Sequence, residues 1–210
     1  VTLCADRHST QQLKTVSIFF KERAYNERRY QEIILGKAHA ENSHYLVRQT
    51  DFEQALPEIM TDMDMPTTDG VNSWFISKYA RQSGLKAVLS GLGADELFGG
   101  YPSFKRIKYL KYLKKVPDIL LRVIAGLSIG RYKRLELLRF NLPLAEYLFL
   151  RGLYAPSEIA KILNIAEKYV LDVLFTNRRK PDSQNDELKA AWYETNLYMQ
   201  DQLLRYTYVM

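Results

Sequence analysis

The residue types best suited to chemistry are concentrated in one segment, residues 85–101. A short apolar run at residues 87–89 predicts a buried strand, and a glycine-rich turn follows it. Two adjacent carboxylates come next, Asp95 and Glu96. A turn of small residues between a strand and a helix leaves backbone N–H groups free to bind an anion such as phosphate.

A carboxylate next to a bound phosphate implies a cation between them. Mg²⁺ binds one or two carboxylates together with phosphate oxygens, so this segment is compatible with a magnesium and phosphate site. The alternative is a tight turn in which Asp95 caps a helix, since glycine turns followed by Asp are common. The residues alone leave both interpretations open.

Residues 90–101 read Ser-Gly-Leu-Gly-Ala-Asp-Glu-Leu-Phe-Gly-Gly-Tyr. This run resembles the signature of the asparagine synthetase (glutamine-hydrolysing) family. It matches the C-terminal synthetase domain, which belongs to the ATP pyrophosphatases with a PP-loop. Residues 65–79 and 193–210 are also similar to that family, whereas the resemblance is weakest over residues 111–186.

The resemblance implies roles for individual residues. Ser90 and Gly91 match positions whose backbone contacts the adenylate, and Phe20 matches a position whose backbone touches the adenine. Asp95 matches the residue that holds Mg²⁺ and pyrophosphate. For Glu96 we favour a structural role, as a charge near a helix N-terminus or in a salt bridge.

The sequence also departs from the family. Leu92 stands where asparagine synthetases carry a Glu regarded as a base near the amide-forming centre, and leucine cannot accept a proton. The catalytic residue therefore stays unknown. Residues 205–208 show Tyr where the family usually has Asp or another polar residue.

Parts of the family pattern do not occur in these 210 residues. They are the PP-loop, a Ser-Gly-Gly-x-Asp-Ser type stretch, the glutaminase domain with its leading cysteine, and a segment with a catalytic lysine. We therefore expect a fragment that lacks the PP-loop and the glutaminase domain. Because the PP-loop part of the phosphate-binding site is missing, we expect the fragment alone to be inactive in amide synthesis.

Strand-like and helix-like stretches alternate in the first half of the chain. β-Branched and aromatic residues predict strands at residues 15–20, 44–47 and 86–90. Apolar spacing predicts helices at residues 26–40, 52–60 and 71–83. This alternation predicts an α/β fold, a parallel sheet wrapped by helices, with ligands beyond the carboxyl ends of the strands. The resemblance implies the PP-loop type, which is adenine nucleotide alpha hydrolase-like.

The second half of the chain predicts helices throughout. Proline breaks and apolar spacing indicate helices at residues 105–115, 118–128, 131–140, 143–150, 157–163, 166–176 and 186–204. We therefore predict an α/β nucleotide-binding part over residues 1–104 and an all-helical part over residues 105–210.

Composition narrows the class of protein. A hydrophobic content of 47% supports a core, and the single cysteine, Cys4, excludes an intrachain disulfide framework and favours a reducing cytoplasm. No apolar run approaches the length needed to span a membrane, so we expect no membrane partner.

The net charge is +6, concentrated over residues 105–151, and we interpret the basic cluster as a solvated helix face rather than a nucleic-acid site. An exposed sheet edge predicts self-association, with a homodimer as the simplest form.

The resemblance implies an ATP-dependent ligase that converts aspartate to asparagine through an acyl-adenylate. ATP, Mg²⁺, a carboxylate such as aspartate and ammonia from glutamine are the implied cofactors and partners. Two alternatives stay open. Leu92 is compatible with a related PP-loop ligase of the β-lactam-forming or peptide-cyclising type, and the missing PP-loop is compatible with a non-catalytic remnant.

Overall fold

The computed structural model describes residues 1–22, 28–65, 67–127, 130–140, 143–176 and 179–209. The chain divides into two compact units, one formed by Val1–Leu92 with Gln200–Met210 and the other by Gly93–Met199. The last residues of the chain therefore return to the first unit. The functional division at residue 104 stays a prediction.

The first unit is built on a pair of parallel strands. Its elements are α1 (Thr2–His8), β1 (Leu13–Phe20), α2 (Arg28–Leu35), β2 (Ala40–Val47), α3 (Gln49–Asp62), α4 (Thr68–Gln82) and α12 (Leu204–Val209). β1 and β2 pair in register, from Leu13 opposite Ala40 to Phe20 opposite Val47. Parallel pairing requires a crossover connection, and α2 lies in that connection. The predicted parallel pairing of the first two strands is confirmed.

The core of the first unit lies against the carboxyl end of this sheet. Its buried residues are Val47, Ala55, Ile59, Met63, Trp74 and Phe75. Phe20 packs against this cluster from the end of β1. The indole N–H of Trp74 donates to Asp62 over 2.7 Å, so burying this ring leaves no unpaired donor. The packing of α3 and α4 thus holds the ends of both strands in place.

The strand predicted at residues 86–90 is wrong. This segment has no helix or strand, and the side chains of Val88 and Leu89 are 48% and 83% exposed. A strand exists only with a hydrogen-bonded neighbour, and the sheet of the described residues consists of β1 and β2. The apolar run at residues 87–89 is also too short to bury much surface, since strands usually have five or six residues.

Several predicted boundaries also shift, most clearly those of α2 and β2. The helix predicted at residues 26–40 is shorter, because α2 spans Arg28–Leu35 and residues 23–27 lie outside the described part of the chain. Residues 40–43 join β2 instead, where they extend the strand predicted at residues 44–47. Pairing with β1 decides this, since all eight residues of β2 have a partner in register.

The second unit is helical, and its described residues contain no strand, as predicted. It contains α5 (Ala94–Phe98), α6 (Ser103–Leu113), α7 (Asp118–Leu127), a 3₁₀ helix (Gly130–Arg139), α8 (Pro143–Arg151), α9 (Pro156–Leu163), α10 (Glu167–Thr176), α11 (Asp186–Tyr193) and most of a π-helical segment (Glu194–Leu203). The buried core of this unit consists of Ile107, Leu110, Leu121, Leu138, Phe149, Leu150, Ala190, Tyr193 and Leu197. The apolar spacing of the sequence accounts for these helices.

The helix predicted over residues 186–204 is continuous but changes its winding at Glu194. α11 passes into the π-helical segment, and α12 follows it. The hydroxyl of Thr195 donates to the carbonyl of Ala191 over 2.8 Å, and the amide of Asn196 donates to the carbonyl of Trp192 over 3.1 Å. Side chains therefore bond carbonyls where the winding changes. π-Helical turns occur frequently at functional sites.

Candidate functional site

Glycines define the short helix that carries the paired carboxylates. Gly93 precedes α5 with φ 98°, and Gly99 follows it with φ 77°. Both angles lie in the left-handed region, which glycine adopts without steric cost. The N–H groups of Gly99 and Gly100 both donate to the carbonyl of Asp95, over 3.1 and 3.0 Å. The helix is therefore closed at both ends by backbone conformations that the glycines permit.

The carboxylate of Asp95 lies directly against the backbone of Gly100. A Cβ atom on residue 100 would lie 2.0 Å from Oδ1 of Asp95 and 2.7 Å from its Cγ. Asp95 is exposed, and the residue at the cap position of α5 is Gly93 rather than Asp95. The carboxylate is thus confined on one side by backbone and open to solvent on the other.

Glu96 has the opposite environment, because consecutive helical residues face different directions. It is 1% exposed, and its Oε1 accepts a hydrogen bond of 2.9 Å from the hydroxyl of Tyr101. Burial raises the pKa of Tyr101 well above its ordinary value, and the bond to Glu96 raises it further. Glu96 therefore ties α5 to the residue that ends the segment.

Behind Glu96 lies a group of side chains that sequence reasoning missed. Glu194 is 1% exposed, and its Oε1 accepts a hydrogen bond from the hydroxyl of Ser103. Nε of Arg151 lies 3.5 Å from Oε2 of Glu194, within ion-pair range but without hydrogen-bond geometry. Burial raises the pKa of Glu194, against the effects of Ser103 and Arg151. In the sequence, Glu194 lies four positions after the apolar Ala190, so the helical periodicity indicates that this charged residue faces the core.

At the carboxyl end of the sheet, the first unit has a cleft with a volume of about 190 Å³. It is lined by Phe20, Glu22, Val47, Arg48, Gln49, Phe52, Val71 and Phe75. Pockets for complete small-molecule ligands usually measure about 300–1,000 Å³. The cleft, which Phe20 helps to line, is therefore smaller than the usual pocket for a whole nucleotide.

Ser90, Gly91 and Leu92 lie apart from that cleft, in the exposed segment that follows α4. The N–H of Leu92 donates to the hydroxyl of Ser90 over 3.4 Å, and a side chain on Gly91 would meet nothing within 4 Å. None of the three lines the cleft with Phe20. All three residues are exposed.

Within the described part of the chain, Asp95 does not belong to a metal site made by protein groups alone. Among the described residues, no group of three or more His, Cys, Asp or Glu side chains is arranged to hold a metal ion. A single exposed carboxylate nevertheless fits Mg²⁺, which keeps several waters and takes further oxygens from a phosphate. Asp95 belongs to the second unit, whereas Phe20, Ser90 and Gly91 belong to the first.

The basic cluster on α6 is partly paired within the second unit. Nζ of Lys108 lies 3.3 Å from Oε1 of Glu187, and Lys114 pairs with Glu146. The remaining exposed face carries two tyrosines, Tyr109 and Tyr112, which are 63% and 62% exposed. The interpretation of this cluster as a solvated face stays a prediction.

Across the described residues, no helix combines the length and the apolar character needed to cross a membrane.

Comparison with known proteins identifies the family. The family model for asparagine synthase matches residues 1–207. An asparagine synthetase (glutamine-hydrolysing) of Bacillus subtilis is 26% identical over 204 residues, which cover 91% of this chain and 32% of that protein. A candidate asparagine synthetase of Methanocaldococcus jannaschii is 33% identical over 116 residues, covering 54% of this chain and 22% of that protein. A further candidate, from Mycobacterium tuberculosis, is 32% identical over 133 residues, covering 61% of this chain and 20% of that protein.

No solved structure matches the chain significantly. The chain spans about a third or less of the length of these curated relatives. The match nevertheless covers nearly every residue of this chain and includes the segment that carries Asp95. We conclude that the chain belongs to the asparagine synthase family.

Proposed function

We propose that this chain is part of the ATP-binding synthetase domain of an asparagine synthetase-like amidotransferase. The observation that carries the proposal is the placement of Asp95. Its carboxylate is exposed, pressed against the backbone of Gly100, and lies within the family signature. This is the arrangement expected of a carboxylate that shares a cation with a phosphate.

Each site residue has a distinct role in this proposal. Asp95 holds Mg²⁺ beside the pyrophosphate group of ATP. The exposed backbone at Ser90 and Gly91 contacts the adenylate. Phe20 contributes backbone atoms to the adenine site, and the small cleft that it lines supports this assignment. The proposed fold is of the PP-loop type, and we also propose that the protein is cytoplasmic and forms a homodimer.

The reaction is the two-step amidation of a carboxylate, with aspartate as the proposed acceptor. An oxygen of the substrate carboxylate attacks the α-phosphorus of ATP, and the bond to pyrophosphate breaks. Ammonia derived from glutamine then attacks the acyl carbon of the adenylate, AMP leaves, and the amide nitrogen loses its extra protons. When bound, Mg²⁺ neutralises charge on the departing pyrophosphate. Asp95 contributes by fixing that charge in place.

Leu92 favours a second candidate function. It occupies the position of the family Glu and cannot accept a proton, so the amine nucleophile must be deprotonated by another group. A related ligase with a different acceptor, of the β-lactam-forming or peptide-cyclising type, would use the same adenylation step. The general base stays unassigned in either case. The inactivity of residues 1–210 on their own stays a prediction.

The proposal is tested by substituting Asp95→Asn in the complete protein. We expect ATP–pyrophosphate exchange in the presence of aspartate to fall about 100-fold or more, because the neutral amide cannot balance the charge of the metal beside pyrophosphate. Thermal stability should be retained, since Asp95 is exposed. Asp118→Asn is the matched control, because Asp118 is also an exposed carboxylate in the first turn of a helix.

The outcomes separate the candidate functions. Normal exchange in the Asp95→Asn variant would remove Asp95 from the site and end this assignment. Exchange that depends on another carboxylate but not on aspartate would favour the second candidate. A complete wild-type protein without exchange on any carboxylate tested would be a non-catalytic remnant.

A further inference from the structure

Three elements of the second unit meet at the side chain of Arg151. Arg151 is the last residue of α8, Tyr101 lies three residues after the end of the signature helix α5, and Tyr198 lies in the π-helical segment. The guanidinium carbon of Arg151 lies 3.3 Å from the ring centroid of Tyr198 and 4.5 Å from that of Tyr101. The two rings meet edge to face, with their centroids 5.7 Å apart. A planar guanidinium stacks well on aromatic faces, which an ammonium cannot do.

The charge of Arg151 is matched by a buried carboxylate. Glu194 is fully buried, and its Oε2 lies 3.5 Å from Nε of Arg151. Burial works against the charge of Arg151, but the pKa of its guanidinium is still raised, because Glu194 and Tyr198 favour the ionised form. Removing the guanidinium would leave Glu194 buried without its cation, which is costly. The guanidinium of Arg151 is therefore positioned both by the aromatic rings of Tyr101 and Tyr198 and by the carboxylate of Glu194.

The same contacts connect Arg151 to Asp95 through Tyr101 and Glu96. The ring of Tyr101 lies under Arg151, and the hydroxyl of Tyr101 donates to Glu96 over 2.9 Å. Glu96 is the neighbour of Asp95 on α5. This short helix has only five residues, so it does not hold its own orientation by internal hydrogen bonds.

We propose that Arg151 is a positioning residue that fixes the orientation of α5, and through it the Asp95 carboxylate, by stacking on Tyr101 and Tyr198. The proposal rests on the proposed function of Asp95. Arg151 lies within residues 111–186, where the resemblance to the family is weakest. The sequence pattern around it therefore does not indicate this role. Arg151 touches neither substrate nor metal in this proposal, and its effect passes through Tyr101 and Glu96.

The test compares Arg151→Lys with Arg151→Ala in the complete protein. Lysine keeps the charge opposite Glu194 but loses the planar stacking on both rings. We expect Arg151→Lys to raise the KM for Mg²⁺-ATP in pyrophosphate exchange about tenfold, because a small displacement of a binding group is enough for that effect. Arg151→Ala should have the larger effect of the two.

The matched control is Arg139→Ala. Arg139 lies over the ring of Phe140 at 4.7 Å and pairs with Glu136, and its side chain is 22% exposed, against 19% for Arg151. It therefore has the same kinds of contact away from α5. The control variant should keep the wild-type KM for Mg²⁺-ATP.

Amide hydrogen exchange over residues 94–101 gives a readout that does not depend on activity. The proposal expects faster exchange there in Arg151→Lys, with residues 143–151 unchanged, and wild-type exchange in Arg139→Ala. Unchanged exchange at residues 94–101 in Arg151→Lys, or loss of protection spread over the whole second unit, would overturn it. If Arg151→Ala fails to fold, Arg151→Lys decides. A wild-type protein without pyrophosphate exchange would defeat the function proposed for Asp95, whereas hydrogen exchange would still decide whether Arg151 holds α5.

Discussion

Asp95 and Glu96 are chemically similar neighbours with opposite environments. Asp95 is exposed and lies against the backbone of Gly100, whereas Glu96 is buried and accepts a hydrogen bond from Tyr101. An exposed carboxylate can exchange water for a metal and a phosphate, but a buried and bonded one cannot without unfolding its surroundings. Asp95 is therefore available to a ligand and Glu96 is not, because the two side chains leave α5 in different directions.

Gly100 gives a direct test of how tightly Asp95 must be placed. In Gly100→Ala, the new methyl group would overlap Oδ1 of Asp95 at 2.0 Å, so the carboxylate must move. We expect pyrophosphate exchange by the complete protein to fall about 100-fold, as is typical when a reacting group is displaced by about 1 Å. Steady-state exchange kinetics measure the effect.

The control for this substitution is Gly126→Ala. A Cβ atom at residue 126 would meet nothing within 4 Å, and its φ is not in the left-handed region. Because alanine is the better helix former, this variant should keep full exchange activity and unfold at the same or a slightly higher temperature. Equal activity in the two glycine variants would show that the position of Asp95 is not critical.

At the scale of the elements, Glu146 joins three helices of the second unit. It lies on α8, pairs with Lys114 at the C-terminal end of α6, and lies 3.2 Å from Nζ of Lys189 on α11. The hydroxyl of Tyr193, also on α11, donates to its Oε2 over 3.0 Å. Burial raises the pKa of Glu146, but the two lysines outweigh burial, so its pKa lies below the ordinary value of 4.5. The ionised form is therefore the one that holds these helices together.

Glu146→Gln should destabilise the protein at neutral pH. The folded state lowers the pKa of this carboxyl, so its contribution to stability is present above its ordinary pKa and is lost as the pH falls below it. We expect the free energy of unfolding at pH 7 to decrease by about 2 kcal/mol, the range for hydrogen bonds to charged groups. The difference from wild type should shrink as the pH falls below 4.5. Urea denaturation at a series of pH values measures both effects.

Glu158→Gln serves as the comparison for that experiment. Glu158 also pairs with a lysine, Lys133, over 2.9 Å, but both side chains are more exposed, at 25% and 38%. Solvent weakens such a pair, so its loss should cost less than about 1 kcal/mol. A cost for Glu146→Gln no greater than that of Glu158→Gln would show that the three-helix junction does not depend on the charge.

At the scale of the whole molecule, the two compact units are joined at Leu92 and Gly93 and again at Met199 and Gln200. The first junction follows a segment without helix or strand, and the second lies inside the π-helical segment. The exposed segment also contains Ser90 and Gly91. The proposed adenylate contacts of Ser90 and Gly91 therefore lie where the chain leaves the first unit.

Limited proteolysis should cut this exposed segment first. Lys86 is a site for trypsin and Leu89 a site for chymotrypsin, and Leu89 is 83% exposed. We expect initial cleavage between residues 85 and 92, because the backbone there lacks the hydrogen bonds of a helix or strand. Under the proposed function, Mg²⁺-ATP should slow this cleavage. Mass spectrometry locates the first cut, and a first cut within β2 or α3 would contradict the expectation.

The sequence by itself predicted the helices of the second half and the first two strands as members of a parallel sheet. Local patterns indicated these elements, because a helix forms from residues close in sequence, β1 is rich in β-branched and aromatic side chains, and β2 ends in Tyr45, Leu46 and Val47. It also located Asp95, because the glycine turn and the paired carboxylates are contiguous. The match to the asparagine synthase family bears out the resemblance seen in those residues.

Only the tertiary structure decided which side chains are buried, paired or exposed. Residues 87–89 have the composition of a strand, but strand formation depends on a neighbour elsewhere in the chain, and the described sheet offers none to them. Likewise, Arg151 and Glu194 are 43 positions apart in the numbering and meet only because the end of α8 lies beside the π-helical segment. Contacts of that kind depend on three-dimensional packing, which a local pattern of residue types does not encode.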